Sequence, residues 1–491
     1  MNDNGLRARF FNKDLLIAAS LFTLALALRL LFIGSKSFWG DELYAAGLME
    51  SSISDLVTSS FNSSPHPPLA FILPRIFAAI LGPSEAGLRV LPALMSSFAS
   101  VFLFLFVKKH TGRVPALIAA LLWVLSPYSV SLGQEGWLYG TLACFGFAFI
   151  YVSDLAWNGN KPAVFLLVPL GLAGMLIQHL FFLFLAAGFL LYFTVPKDKR
   201  VPLRTFILLA VIMALVYTPF AFASIEQASL RAERSANADV AAFAKTRMMN
   251  RVPTVFARLI PGGIAGEYCR GMFGISTTSL IFTGSLLSVL VSLILAFFDR
   301  KLAVSLKIWM AGVLIIPLLL FLKEDPTVRH LSILWIPLGL AVSSLYSRFK
   351  PAAVALLLLA VVLLFPYYRI TSFPYHRSDW RSAVNTVLFS RTEDQQLVIL
   401  AGQNGGVAWD YYAGPGTDRI ASGGETPYAK QATSSSVNPI AVVDSLLSEG
   451  DQVWVIHDMW GGPSGAEIAP GYTIYYHEMP SAHIEVLLFG N

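Results

Sequence analysis

Charge is scarce in this chain. Asp, Glu, Lys and Arg make up 13% of its 491 residues, against about 25% in ordinary soluble proteins. That shortage excludes a typical soluble globular fold, and a mean hydropathy of +0.63 agrees. Cysteine is almost missing. Cys144 sits in an apolar run and Cys269 in a polar stretch, which supports neither a disulfide nor a metal–thiolate site. The opening MNDNGLRARFFNKDLL has no small-residue cleavage site before its apolar run, so it reads as a retained first span and not a removed signal peptide. A strand–GxGxxG–helix phosphate cradle is also lacking: GQNGG, AGPG and WGGPSG read as loops.

What the chain does have is apolar runs. They recur from Leu15 to about residue 368, each about 18–25 residues and so long enough to cross a bilayer. After that point there is none. The sequence therefore predicts a polytopic α-helical membrane part at 1–368 and a water-soluble α/β part at 369–491. The net charge of +5 does not point to nucleic acid, because the basic residues collect in short loops between apolar runs, as membrane topology requires.

Basic short loops mark the cytoplasmic side. Here they are Arg7/Arg9/Lys13, Lys108/Lys109/Arg113, Lys161, Lys197/Lys199/Arg200, Arg300/Lys301 and Arg348/Lys350. An even number of spans must separate neighbouring clusters. A crossing at 67–81 would put Lys108 and Lys109 outside. That stretch is short and holds Pro67, Pro68, Pro74 and Arg75, so it reads as an amphipathic helix lying on the outer surface. About eleven transmembrane helices follow, near 14–34, 90–107, 115–132, 138–157, 162–177, 180–195, 203–222, 273–298, 303–322, 331–346 and 351–368. The N-terminus is then cytoplasmic, and the C-terminal domain extracytoplasmic.

This topology gathers most of the notable polar residues on the outer face. They are Asp41 and Glu42 just after the first span, His66 between prolines, Gln134 and Glu135, Gln178 and His179, and Arg329 and His330. The long loop at 223–272 adds seven basic residues, Arg247, Arg251, Arg258 and Arg270 among them. Each has an ordinary explanation: solvated interface, loop packing, helix capping, contact with lipid phosphates. Convergence favours a site. Carboxylates suit proton transfer or metal binding, and guanidiniums suit phosphate, so the set fits a phosphorylated substrate carried in the membrane.

The residues from Arg29 to Tyr151 resemble the N-terminal region of the GT-C membrane glycosyltransferases, in the branch of the protein O-mannosyltransferases and aminoarabinose transferases. The matching pieces are Arg29, WGDE (Trp39–Glu42), HPPL (His66–Leu69), LGPSEAGLRVLPAL and SPYSVSLGQEGWLYG. VRHLSILWIPLGL and YHRSDWRSAV add shorter likenesses. Trp137 stands where many relatives carry an arginine. The resemblance implies an inverting glycosyltransferase with a polyprenyl-phosphate sugar donor, working on the outer face of a bacterial cytoplasmic membrane. The acceptor is a lipid, a glycan or a protein. It implies Asp41 as base with Glu42 in support; His66 and Glu135 for sugar or acceptor; Arg329 and the loop arginines for phosphate; and Tyr139, His179 and His330 as further substrate-binding residues. It implies no certain cofactor, although Asp41, Glu42 and His66 could hold a divalent metal. A transporter or lipid flippase is the alternative, but such proteins place ionisable groups near mid-membrane, where these spans have few.

In the tail, alternation predicts strands at 397–402 and 452–458 and a hairpin at 472–477 and 483–489, with helices at 379–390 and 439–448.

Overall fold

The computed structural model describes residues 3–49, 51–62, 66–234, 280–321 (except 281, 282 and 285), 328–371, 379–400 (except 393), 405–414, 420–421, 439–458, 469, 471–481 and 484–490. They form two compact units. One comprises Met1–Leu31, Ser51–Phe77 and Arg89–Tyr367; the other Phe32–Glu50, Ala78–Leu88 and Tyr368–Asn491. The sequence assigns 32–50 and 78–88 to the membrane part, whereas packing assigns them to the unit that holds the C-terminal sheet.

The first unit is a helical bundle. Every stretch expected to span carries helix: Asp3–Leu30, Glu85–Thr111, Arg113–Leu125 with Pro127–Gly133, Tyr139–Trp157, Lys161–Ile177, Phe182–Leu190 between two 3₁₀ turns, Leu203–Arg234, Leu286–Phe297, Val304–Phe321, Trp335–Arg348 and Lys350–Thr371. Among the described residues five helices are long and apolar enough to cross a bilayer, and a sixth span results if the pair Arg113–Leu125 and Pro127–Gly133, bent by 59°, counts as one. Leu69–Leu81 has 13 residues. At 1.5 Å per residue it reaches about 20 Å, short of the roughly 30 Å hydrocarbon core.

The bundle is held by close aromatic and glycine contacts. Trp123, fully buried, meets Phe147 and Trp335 edge-on at 4.9 and 5.2 Å, a favoured ring geometry. A Cβ on Gly146 would lie 2.3 Å from the Phe184 ring, so only glycine lets that ring so near helix Tyr139–Trp157.

The basic clusters share one end of this bundle. Asp14 accepts hydrogen bonds from Lys108 and, at 2.8 Å, from Arg113. Lys109 and His110 reach Asp154 at 2.9 and 3.1 Å. The Val201 N–H donates to Trp157 O at 3.2 Å, and Ser305 to Thr194 O at 3.2 Å. Arg348 donates to Phe298 O, and Ser343 to Pro115 O. These contacts join the ends of helices that carry the basic clusters.

The second unit contains a five-stranded mixed sheet of order β2-β1-β3-β5-β4. Its strands are β1 (Gln396–Leu400), β2 (Ile420–Ala421), β3 (Val453–Asp458), β4 (Thr473–Ser481) and β5 (Ile484–Gly490). β1 pairs in parallel with β2 and β3, while β5 is antiparallel to β3 and β4. Helices Trp380–Ser390 and Pro439–Ser448 stand where alternation predicts them. Val398, Val443, Leu447, Val453, Val455, Leu487 and Phe489 form the core. One expectation fails. GQNGG reads as a loop, yet Gly405 and Gly406 open a helix, Gly405–Ala413. Paired glycines argue against helix locally, and packing against helices Gly40–Gly47 and Trp380–Ser390 overrides them.

Candidate functional site

At the other end of the bundle, a break in the chain positions the polar residues. Pro127 disfavours helical backbone at the residue before it, and Ser126 accordingly adopts φ −69°, ψ 127°. The chain turns again after Gly133 and re-enters helix at Tyr139. Gln134 ties down this turn. Its amide donates to Arg29 O (3.2 Å) and Leu31 O (2.7 Å), and its carbonyl accepts from the Tyr367 hydroxyl (2.9 Å). Beneath lies Arg29, wholly buried, which donates to Ser96 Oγ, Ala25 O and Ser129 Oγ at 2.9–3.1 Å. A Cβ on Gly133 would fall 2.7 Å from the Arg29 side chain, so glycine makes room for the guanidinium.

Glu135 is thereby fixed. Its carboxylate is 6% exposed and accepts from Arg329 Nη1 at 3.0 Å. The Arg329 guanidinium lies 5.1 Å from the centre of the Tyr139 ring, a cation–π distance. The Tyr139 hydroxyl meets His330 Nε2 at 2.8 Å. Four of the residues singled out from sequence thus form one cluster. His66 lies beside Trp137, edge to face at 5.2 Å, so Trp137 packs against HPPL. Trp137 also lines a small apolar hollow with Leu69, Leu73, Leu91 and Ile177. His179 contacts the Tyr217 hydroxyl through Nδ1.

Asp41 and Glu42 belong to the second unit and occupy the first turn of helix Gly40–Gly47. Asp41 is partly exposed. Glu42 is fully buried and accepts from the backbone N–H of Trp39 at 3.4 Å, so it caps its own helix. Arg247, Arg251, Arg258 and Arg270 lie outside the described residues. Among the described residues no three or more His, Cys, Asp and Glu side chains gather as a metal-binding group.

Sequence reasoning passed over Ser37, Glu85, Arg381 and Tyr412, which form a hydrogen-bonded group in the second unit. Glu85 and Arg381 stand within the LGPSEAGLRVLPAL and YHRSDWRSAV stretches, but nothing in either stretch pairs them.

Known proteins share this geometry's frame. Residues 65–222 match the family model described as dolichyl-phosphate-mannose-protein mannosyltransferase. The crystal structure of ArnT from Cupriavidus metallidurans bound to undecaprenyl phosphate aligns over 96% of this chain and 97% of its own, with 13% identity and a TM-score of 0.54. The fold is GT-C. The Archaeoglobus fulgidus oligosaccharyltransferase in complex with Zn and sulfate shares it, at 14% identity over 97% of this chain and 73% of its own, with a TM-score of 0.53. So does the same organism's AglB in complex with an inhibitory peptide and a dolichol-phosphate (14%, 91% and 69%, TM-score 0.52). No curated protein matches by sequence. The resemblance read from WGDE, HPPL and SPYSVSLGQEGWLYG is thus borne out for the fold, and the segment matched by the family model contains His66, Glu135, Tyr139 and His179.

Proposed function

We propose that this chain is an inverting glycosyltransferase that moves a sugar from a polyprenyl-phosphate donor to an acceptor hydroxyl at the outer face of the cytoplasmic membrane. The observation that carries this reading is the Glu135–Arg329–Tyr139–His330 cluster, set at the end of a GT-C bundle opposite the basic clusters. A guanidinium braced by a carboxylate and an aromatic face presents donors in fixed geometry toward an anionic headgroup. The similar structures that hold undecaprenyl phosphate and dolichol-phosphate support the same donor class. The flippase alternative has no such support.

In the proposed reaction the acceptor oxygen attacks the anomeric carbon from the face opposite the phosphate. The new C–O bond forms as the bond from that carbon to the phosphate oxygen breaks, which inverts the configuration. The lipid phosphate leaves with the bonding electrons, and Arg329, with the arginines of 223–272, offsets its charge. Asp41 takes the acceptor's proton. Glu42 keeps helix Gly40–Gly47 in place, and Tyr139 and His330 with His66 border the sugar.

The test is Asp41→Asn, nearly isosteric but unable to take a proton at neutral pH. Transfer from a polyprenyl-phosphate sugar in nanodiscs should fall on the order of 10²–10⁴-fold, with melting temperature and donor binding kept. Near-normal transfer would remove Asp41 from the base role.

A further inference from the structure

Three residues before Asp41, the chain is gripped by the part of the protein that follows the last membrane helix. The backbone N–H of Phe38 donates to the Tyr412 hydroxyl at 2.8 Å, and that hydroxyl donates to Glu85 Oε1 at 2.9 Å. Ser37 Oγ lies 3.1 Å from the same hydroxyl and accepts from the Arg381 backbone N–H at 3.2 Å. The Arg381 guanidinium binds Glu85 through Nε (3.1 Å) and Nη2, and Nη2 also donates to Gly34 O and Lys36 O at 3.3 Å each. Phe38 is fully buried and meets the Tyr411 ring at 5.1 Å. Gly47, at the far end of Asp41's helix, lies against Val407.

From this arrangement we infer that Arg381 and Tyr412, with Glu85, are positioning residues: they lock the 34–38 backbone and so set where helix Gly40–Gly47 presents Asp41. The inference rests on the transferase reading above and extends it, because it adds Arg381, Tyr412 and Glu85 to the residues on which the placement of Asp41 depends. Electrostatics agree. Burial opposes the Arg381 charge, but the bonded Glu85 carboxylate outweighs it and raises the guanidinium pKa. Burial and then Glu85 push the Tyr412 hydroxyl well above the usual phenol range, so it stays a protonated donor. The guanidinium therefore stays charged and the Tyr412 hydroxyl stays protonated, as a static clamp requires.

Tyr412→Phe and Arg381→Lys in the full-length protein test it. Phe keeps the ring and loses the hydroxyl; Lys keeps the charge and loses the fork that reaches Glu85, Gly34 and Lys36 together. Hydrogen exchange in nanodiscs should speed up at 34–48 while β3 and β5 stay as protected as in the wild type. kcat should fall on the order of 10–100-fold, as small misplacements of a reacting group do, with donor binding unchanged. Lys at 381 should retain more activity than Ala. Unchanged exchange at 34–48 overturns the clamp whatever the activity, and faster exchange with unchanged kcat overturns its catalytic role. A wild-type protein that exchanges as expected but transfers no sugar overturns the transferase reading and leaves the clamp standing.

Discussion

At the scale of single residues, the Glu135–Arg329 pair is the group whose energetics can be read most directly. Glu135 is nearly enclosed, while about a quarter of the Arg329 side chain is exposed. A carboxylate so enclosed loses much of its hydration, and the Arg329 hydrogen bond compensates. Arg329→Ala therefore leaves a buried charge without this partner and should destabilise by a few kcal/mol. Glu135→Gln keeps shape and an acceptor oxygen, so it should cost less. The double variant should be more stable than the two single effects predict, with a coupling of about 1–3 kcal/mol. Chemical denaturation of the four proteins in detergent measures it, and additive effects would show that the two side chains do not act as a pair. The same Arg329→Ala protein should bind donor more weakly if the guanidinium serves the phosphate.

At the scale of elements, the turn between Gly133 and Tyr139 depends on close backbone approach. A Cβ on Gly140 would lie 2.7 Å from Leu132 O and 2.8 Å from Pro92 O. Both neighbours are backbone carbonyls, which cannot swing aside as a side chain can. Gly140→Ala should thus push helix Tyr139–Trp157 off its neighbours and cost about 1–3 kcal/mol, displacing Tyr139 with it. Gly312 is the control: it is helical, and a Cβ added to it would meet nothing within 4 Å. Gly312→Ala should be neutral or stabilise by up to about 1 kcal/mol. Thermal melts that lower both variants equally would sink the packing argument. These elements were legible to different degrees in the sequence. β1, β3 and the β4–β5 hairpin were plain because short apolar runs bounded by turn residues read as strands, and β1, β3 and β5 are buried at consecutive positions. Every apolar run carries helix among the described residues, as its length and composition suggest. Helix Gly405–Ala413 was hidden because its two leading glycines favour a turn and only tertiary contact overrides them. The break at Ser126–Pro127 could be read from proline, but its 59° bend could not. Glu135, Arg329 and His330 were picked out by the side on which charge counting placed them, and Tyr139 by the resemblance of SPYSVSLGQEGWLYG. Their pairing, across 194 and 191 positions of sequence, has no local signature. The clamp is less legible still: Arg381 lies 296 positions from Glu85, and nothing near either residue names the other.

At the scale of the whole molecule, the first unit is polar at both ends for different reasons. One end carries the lysines and arginines of the short loops, closed by Asp14 and Asp154. The other carries the Glu135–Arg329 and Tyr139–His330 pairs. Excess lysine and arginine in short loops marks the cytoplasmic side because such loops resist translocation, so the end that carries Glu135 and Arg329 should face outward. The prediction is tested with single cysteines placed in a Cys269→Ser background; native Cys144 is buried and should stay silent. Ser35 and Ser390 are exposed positions that flank the first and last membrane helices, and Lys199 is exposed at the basic end. In intact cells a membrane-impermeant thiol reagent should label Ser35→Cys and Ser390→Cys at once and Lys199→Cys only after permeabilisation. Ser37, although nearer Asp41, is buried in the clamp and would mislead. Labelling of Ser35→Cys and Ser390→Cys only in broken cells would invert the topology. Opposite behaviour of those two positions would mean an odd number of crossings between them, against the even count that the basic loops require. Early labelling at both, with Lys199→Cys protected, would put Asp41 and the C-terminal unit on the outer side, where a lipid-linked sugar and an extracytoplasmic acceptor can meet.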